Sequence, residues 1–183
     1  ESTICQLYSG RLFDVCVWNK LYKHEILKQI DNYPEVYNTN IKYGEDVEFN
    51  IRYLEKSKGA AFTKDRLYYY RQRKGSLVRS SFNEKRLTDF IGIDYAISVC
   101  ENKFPTAEKY IKSWKGLVCI EMLFYIYKSE YSNKQVIETL LKDLKANMKY
   151  IVTCKRNHLY RRIFVPLTYP LFKMFLHKRL KTK

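Results

Sequence analysis

The chain has 183 residues, of which 46% are apolar and 16% aromatic, and its formal net charge at pH 7 is +15. This apolar fraction excludes a disordered chain, and the length is enough for one domain with a sizeable core or for a domain plus a helical extension. The excess of positive charge favours an anionic partner. Composition alone does not choose among nucleic acid, lipid headgroups and a phosphorylated substrate.

The first 80 residues predict a mixture of helix and strand. Apolar spacing predicts helices over residues 20–30 and 45–58, with a loop rich in Asn, Tyr and Pro between them. Short β-branched and aromatic runs predict strands at residues 60–63 and 66–71, and a strand or the start of a buried helix at residues 13–18. These strands are too few to close a sheet, so we expect the remaining strands to lie upstream of Glu1.

The remainder of the chain predicts helices. Apolar periodicity extends over residues 83–103, a second helix opens at Pro105 and continues to about Tyr127, and residues 133–150 are amphipathic. We therefore predict an α+β chain that is mostly α-helical: a small mixed sheet within residues 1–80, followed by a helical bundle over residues 81–183.

The five cysteines are scattered, and no two of them form a Cys-x-x-Cys pair. This spacing argues against a zinc site or a disulfide framework and favours free thiols in a reducing compartment. No pattern typical of a secretory signal or of a membrane span is evident, so we expect a cytoplasmic location.

Glu45 and Asp46 open the predicted helix of residues 45–58, directly after Gly44. A carboxylate in a first helical turn is held ionised by the helix dipole, and a glycine beside it leaves room for a ligand, so the pair could provide a general base. The alternative is that both residues only stabilise the helix N-terminus.

Two other groups of residues could bind a substrate. Arg71, Arg73 and Ser76 follow a run of tyrosines and lie beside a glycine turn, where arginine forks could bind a diphosphate. The alternative there is a solvated basic edge. Trp18 could stack on a sugar ring and Lys20 could bind a phosphate, although a buried Trp that anchors the core is the alternative.

The last 25 residues combine basic and bulky apolar side chains, and acidic residues do not occur among them. Such a segment is typical of a helix that lies in a membrane interface. A terminal helix packed on the bundle, with a solvated basic face, is an equal alternative.

Three blocks together resemble the later half of a family 2 glycosyltransferase of the GT-A fold, a class of bacterial enzymes that build surface glycans. The resemblance covers roughly residues 13–80. The blocks are WNKLYK at residues 18–23, GEDVEF at residues 44–49 and YYYRQRKGS at residues 68–76.

The resemblance implies an inverting, single-displacement transfer from a nucleotide-sugar donor to a glycan or lipid-linked acceptor. In that reaction Asp46 is the base, Glu45 helps to hold the acceptor or orients the acceptor-site loop, and Arg71 and Arg73 approach the diphosphate. The Gln-x-x-Arg-Trp pattern of processive members is absent. The resemblance also implies a peripheral position at the inner membrane face.

The same resemblance implies a divalent metal, Mg or Mn, that is bound through an Asp-x-Asp motif in an N-terminal half. This chain contains no Asp-x-Asp. We therefore expect a C-terminal portion of a hexosyltransferase that lacks its donor site and is inactive alone, and an open sheet edge would favour a homo-oligomer. No nucleic-acid partner is expected on this interpretation. The alternative function is a basic helical module that binds nucleic acid or an anionic membrane.

Overall fold

The computed structural model describes residues 1–9, 14–72, 81–155 and 157–181. In these ranges the regular secondary structure is entirely helical. A 3-10 helix, Glu84–Thr88, precedes α4. The α-helices are α1 (Ser2–Ser9), α2 (His24–Leu27), α3 (Glu45–Lys56), α4 (Asp89–Lys103), α5 (Pro105–Lys128), α6 (Lys134–Thr153) and α7 (Leu159–Lys181).

The predicted mixed sheet is wrong, because no strand occurs in the described part of the chain. Residues 60–63 and 66–71 have no regular secondary structure, and all of them are exposed. A strand is stabilised by backbone hydrogen bonds to a neighbouring strand and by burial of one face. These residues have a sequence suited to strands but neither source of stabilisation, so the GT-A sheet predicted from the resemblance is not present among the described residues.

The predicted strand or helix at residues 13–18 also takes neither form over its described part, residues 14–18. Its backbone groups bond to side chains instead of to a neighbouring strand. The N–H of Val17 donates to Asp46, and the carbonyl of Val15 accepts from Asn50. Helix α3 therefore occupies the hydrogen-bonding groups that a sheet would use.

The helix predicted for residues 20–30 is shortened to the four residues of α2. Lys23, which precedes α2, is extended, with φ −67° and ψ 127°. Its N–H donates to the Tyr53 hydroxyl at 2.8 Å, and the neighbouring Tyr22 hydroxyl donates to Asn50. These bonds to α3 hold residues 22 and 23 outside the helix.

The chain divides into two compact units, of which the first comprises residues 1–80 and 84–108. Its best-defined apolar cluster centres on Ile30, Phe49 and Tyr53, so α3 packs against the segment around α2. Helix α3 also contacts α4 closely, because a Cβ on Gly92 would lie only 3.1 Å from the Gly44 carbonyl oxygen.

Gly44 has φ +77° and immediately precedes α3. A Cβ at this position would lie 1.8 Å from Oδ1 of Asp89 on α4. The space beside Gly44 therefore belongs to Asp89 rather than to a ligand, which corrects the sequence interpretation. Glycine is required here both for the left-handed backbone and for the contact between helices.

The second unit comprises residues 81–83 and 109–183. Helices α5 and α6 approach closely at Gly116, where a Cβ would lie 2.7 Å from Cδ1 of Ile151. Helix α6 begins after Asn133, whose side chain accepts from the Val136 N–H. The helices predicted after residue 105 are thereby confirmed in type and approximate extent, while the predicted domain boundary near residue 80 stays a prediction.

The described helices include none that is both long enough and apolar enough to cross a bilayer.

Candidate functional site

One face of α3 fixes the irregular segment of residues 14–23. Asp46, Asn50 and Tyr53 follow one another at spacings of four and three residues, which places them on one side of the helix. Each of the three side chains bonds to the backbone of the segment. The segment is therefore held against α3 at three points, although it has no regular structure of its own.

Asn50 provides the central connection and is almost completely buried. Its Nδ2 donates to the carbonyl oxygen of Val15 at 2.6 Å and to that of Asp46 at 2.7 Å. Its Oδ1 accepts from the Tyr22 hydroxyl at 2.9 Å. Because every polar atom of the amide is engaged, the side chain has one defined orientation, and it holds the segment and the first turn of α3 together.

Asp46 lies in the first turn of α3 and is half-buried. The backbone N–H of Val17 donates to its Oδ2 at 3.2 Å. Burial raises the pKa of the carboxyl above its ordinary value of 3.8 and outweighs the lowering by the Val17 N–H. This is the opposite of the expected stabilisation of the ionised form. It makes Asp46 a stronger base than an exposed aspartate, and within the described part of the chain Val17 is the one recorded donor to its carboxylate.

Several polar side chains share the surroundings of Asp46. Lys20 is half-buried, and its Nζ donates to the Cys16 carbonyl oxygen and, at 3.1 Å, to Asn19 Oδ1. Burial lowers the pKa of Lys20, while nearby anionic groups that include Asp46 oppose that shift. Burial also raises the pKa of the Tyr37 phenol, and the charges of Asp46 and Glu45 raise it further. The site thus combines a carboxylate, an ammonium and a phenol at a partly solvated surface.

Trp18 lies next to Val17 and forms an aromatic platform, defined here as Trp18, Tyr68 and Tyr70. The ring centroids of Trp18 and Tyr68 are 4.9 Å apart, and those of Trp18 and Tyr70 are 4.8 Å apart with an interplanar angle of 24°. Trp18 remains 39% exposed. The alternative of a buried Trp anchor is therefore wrong, and the platform has the exposed aromatic surface on which a sugar ring can stack.

The structure thus brings together Asp46, Lys20 and Trp18 of the predicted site. Glu45 is half-buried at the first position of α3, beside Asp46. Arg71 is exposed directly after Tyr70 of the platform. Arg73 and Ser76 lie outside the described residues.

The sequence interpretation missed Asn50, Tyr22 and the backbone of Val15 and Val17. A signal for Asn50 was present in the sequence. A polar residue between the apolar residues Phe49 and Ile51, four positions after Asp46, is either exposed or satisfied by a neighbour. The hydrogen-bond partners of Asn50 could not be predicted from the sequence, because they lie on a segment without regular secondary structure.

The resemblance implies a divalent metal, and the described residues provide no group of side chains that could bind it. No group of three or more His, Cys, Asp and Glu side chains comes together at metal-binding distance among residues 1–9, 14–72, 81–155 and 157–181. The described side chains do not fit a metal ion, so no step proposed below passes through one.

Comparison with protein-family models, with curated proteins and with solved structures finds no match for this chain.

Proposed function

We propose that this chain provides the acceptor-side base of a nucleotide-sugar-dependent glycosyltransferase that builds a bacterial surface glycan. The observation that carries the proposal is the convergence of three separate sequence blocks. Val17, immediately before the first block, bonds to Asp46 of the second, and Trp18 stacks on Tyr70 and contacts Tyr68 of the third. The adjacent residues Val17 and Trp18 thus join a half-buried carboxylate to an exposed aromatic platform.

The proposed reaction is a single displacement with inversion. Asp46 accepts the proton of an acceptor hydroxyl while that oxygen forms a bond to the anomeric carbon of the donor sugar. The bond from that carbon to the nucleoside diphosphate breaks, and the diphosphate leaves with the electron pair. Glu45 holds the acceptor beside Asp46, and the aromatic platform stacks on a sugar ring.

The third block would provide the contacts to the donor. Arg71 is exposed at the end of the tyrosine run, and with Arg73 and Ser76 it would bind the diphosphate, since arginine forks match phosphate oxygens. Lys20 would add a further positive charge. The nucleotide and its metal would bind to residues outside this sequence, which contains no Asp-x-Asp. The proposal includes a cytoplasmic location, where nucleotide sugars would be the donors.

Two experiments test the proposal. The first is to read the coding sequence upstream of Glu1, where we expect alternating strands and helices with an Asp-x-Asp motif. A start codon directly before Glu1 would overturn this assignment of the donor site.

The second experiment measures sugar transfer by the natural full-length protein, with a panel of radiolabelled nucleotide sugars and a lipid extract as acceptor. The Asp46→Asn variant should lose about 10²–10⁴-fold in turnover. Asp31→Asn, an exposed aspartate of the same unit, is the matched control and should retain wild-type turnover. Wild-type turnover in Asp46→Asn would remove Asp46 as the base.

A further inference from the structure

Helix α7 has an apolar face that its packing leaves uncovered. We name it the apolar stripe. Leu167 in it is 66% exposed and Phe164 60%. With 3.6 residues per turn, its members fall within one arc of about 120°. The members of the apolar stripe are Tyr160, Ile163, Phe164, Leu167, Leu171, Met174 and Phe175.

The opposite face of α7 is the one that packs on α6. Leu176 is 1% exposed, and the Tyr169 hydroxyl donates to the Leu141 carbonyl oxygen at 3.4 Å. The Arg162 Nε donates to the Val152 carbonyl oxygen at 2.7 Å. The helix is thus already fixed to its own unit, and the apolar stripe is a second face that folding of this unit does not use.

The charge of the segment restricts what can cover the apolar stripe. Asp and Glu do not occur in α7, which has six basic residues. Arg161 and Lys173 flank the apolar stripe on its two sides, and the chain as a whole has a net charge of +15. A second copy of this chain would bring like charge against like charge, whereas an anionic surface would be attracted along the whole helix.

The two prolines within α7 favour a hydrated surface over a dry one. Pro166 and Pro170 have no N–H, so the carbonyls of Arg162 and Pro166 do not receive their intrahelical bonds. Such carbonyls are costly where water is excluded. The headgroup region of a bilayer offers apolar depth on one side of a helix and water on the other.

We infer that α7 is a membrane-docking helix, which inserts the apolar stripe into the interface of an anionic bilayer with the helix axis parallel to the membrane plane. The ligand class is anionic phospholipid in a bilayer. This inference does not rest on the proposed glycosyltransferase function, because none of the residues in the apolar stripe belongs to the candidate site.

Vesicle co-sedimentation of the full chain tests the inference. We expect binding to vesicles of phosphatidylcholine with phosphatidylglycerol, little binding to phosphatidylcholine alone, and weaker binding as salt is raised. The double variant Leu167→Glu/Leu171→Glu should lower the partition coefficient about tenfold or more, because it removes apolar area and adds negative charge. Wild-type binding by this variant would overturn the inference.

The matched control is Thr139→Glu/Ala146→Glu, which adds the same charge at two exposed positions of α6. Its partition coefficient should remain at least fivefold higher than that of the Leu167→Glu/Leu171→Glu variant. An equal fall in both double variants would show that net charge alone governs binding and would overturn the role of the apolar stripe.

A second variant keeps the test decisive if the double variant fails to fold. Leu171→Trp preserves apolar character, and on vesicles its additional emission should shift to the blue and be quenched by brominated lipid. Unchanged emission would overturn the inference.

Two other results would also overturn it. One is an oligomer of the wild type that dissociates in the Leu167→Glu/Leu171→Glu variant, with no binding to vesicles. The other is binding to a single-stranded oligonucleotide in place of vesicles.

Discussion

The backbone N–H of Val17 donates to Oδ2 of Asp46 at 3.2 Å, across a sequence separation of 29 residues. This bond joins the segment that contains Trp18 to the first turn of α3. The carboxylate and the aromatic platform are therefore positioned by the same stretch of backbone, and their relative placement can be tested by substitutions on either side.

Replacing Asp46 by Asn should change stability in a pH-dependent way. Burial raises the pKa of Asp46 in the folded state, so the folded protein binds this proton more tightly than the unfolded chain does. The contribution of this group to the free energy of unfolding is therefore fully present below its ordinary pKa of 3.8 and is lost as the pH rises through the folded pKa.

Asn keeps an oxygen that can accept from Val17 and has no charge to bury. Asp46→Asn should therefore gain stability relative to the wild type as the pH rises from 3.8 towards neutrality. Urea unfolding at a series of pH values measures this difference. A variant that becomes relatively less stable over that range would show that the Val17 bond outweighs burial.

The Asn50 amide should be the most sensitive polar position of the site. Asn50→Ala leaves the partly buried Val15 carbonyl and the Tyr22 hydroxyl without this partner, and we expect a loss of about 2–4 kcal/mol in the free energy of unfolding. Tyr22→Phe removes one hydrogen bond and should cost about 1 kcal/mol. A double-mutant cycle on the two positions should give a coupling of about 1 kcal/mol. Additive effects would show that their hydrogen bond contributes nothing.

Gly44→Ala should be severely destabilising. The new Cβ would lie 1.8 Å from Oδ1 of Asp89, and the backbone has φ +77°. We expect a loss of about 2–4 kcal/mol by chemical denaturation. Gly59→Ala is the control, because, apart from the adjoining residues of the chain, nothing lies within 4 Å of its new Cβ. Its cost should be smaller, at about 1 kcal/mol or less, and equal costs would show that the contact with Asp89 relaxes easily.

Trp18 should report ligand binding directly. Its ring is 39% exposed on the aromatic platform, so a stacked saccharide should change its fluorescence. Trp18→Ala should weaken acceptor binding about tenfold, while Trp18→Phe should keep most of it. Trp114→Phe removes the other tryptophan of the chain and should leave the ligand-dependent signal in place. A signal that disappears with Trp114 would show that the aromatic platform is not where the ligand stacks.

The helices were largely predictable because their apolar periodicity is long. Residues 45–58 were expected to be helical, and α3 spans Glu45–Lys56. The opening of α5 at Pro105 was also expected, since proline is favoured in the first turn of a helix. These signals depend on each helix alone and are therefore readable from one sequence.

The tyrosine run at residues 68–70 shows why the sheet was mispredicted. Strand propensity reflects how well a side chain fits a pleated, half-buried surface rather than a preference of the backbone itself. Tyr69 is 94% exposed, and the rings of Tyr68 and Tyr70 contact Trp18 instead of facing a sheet. The contacts that decide the outcome are long-range, so the local pattern could not reveal them.

The candidate site was predicted only in part, because some of its properties also depend on contacts that are distant in sequence. Asp46 was identifiable as a first-turn carboxylate after Gly44, and Trp18 as an aromatic residue beside polar ones. That Asp46 is held by Val17, and that its pKa is raised, depends on burial between segments. Neither the hydrogen bond nor the raised pKa can be predicted from the sequence alone.

The three anchors on α3 have a consequence for how the length of this region can vary. Surface segments without regular structure usually accept insertions. Here Val15, Val17 and Lys23 are each tied to a fixed position on a rigid helix. One added residue between them would displace an anchor by about 3.3 Å, enough to break its hydrogen bond. Related chains that share this arrangement should therefore keep a constant number of residues between these anchors, and length changes should fall elsewhere.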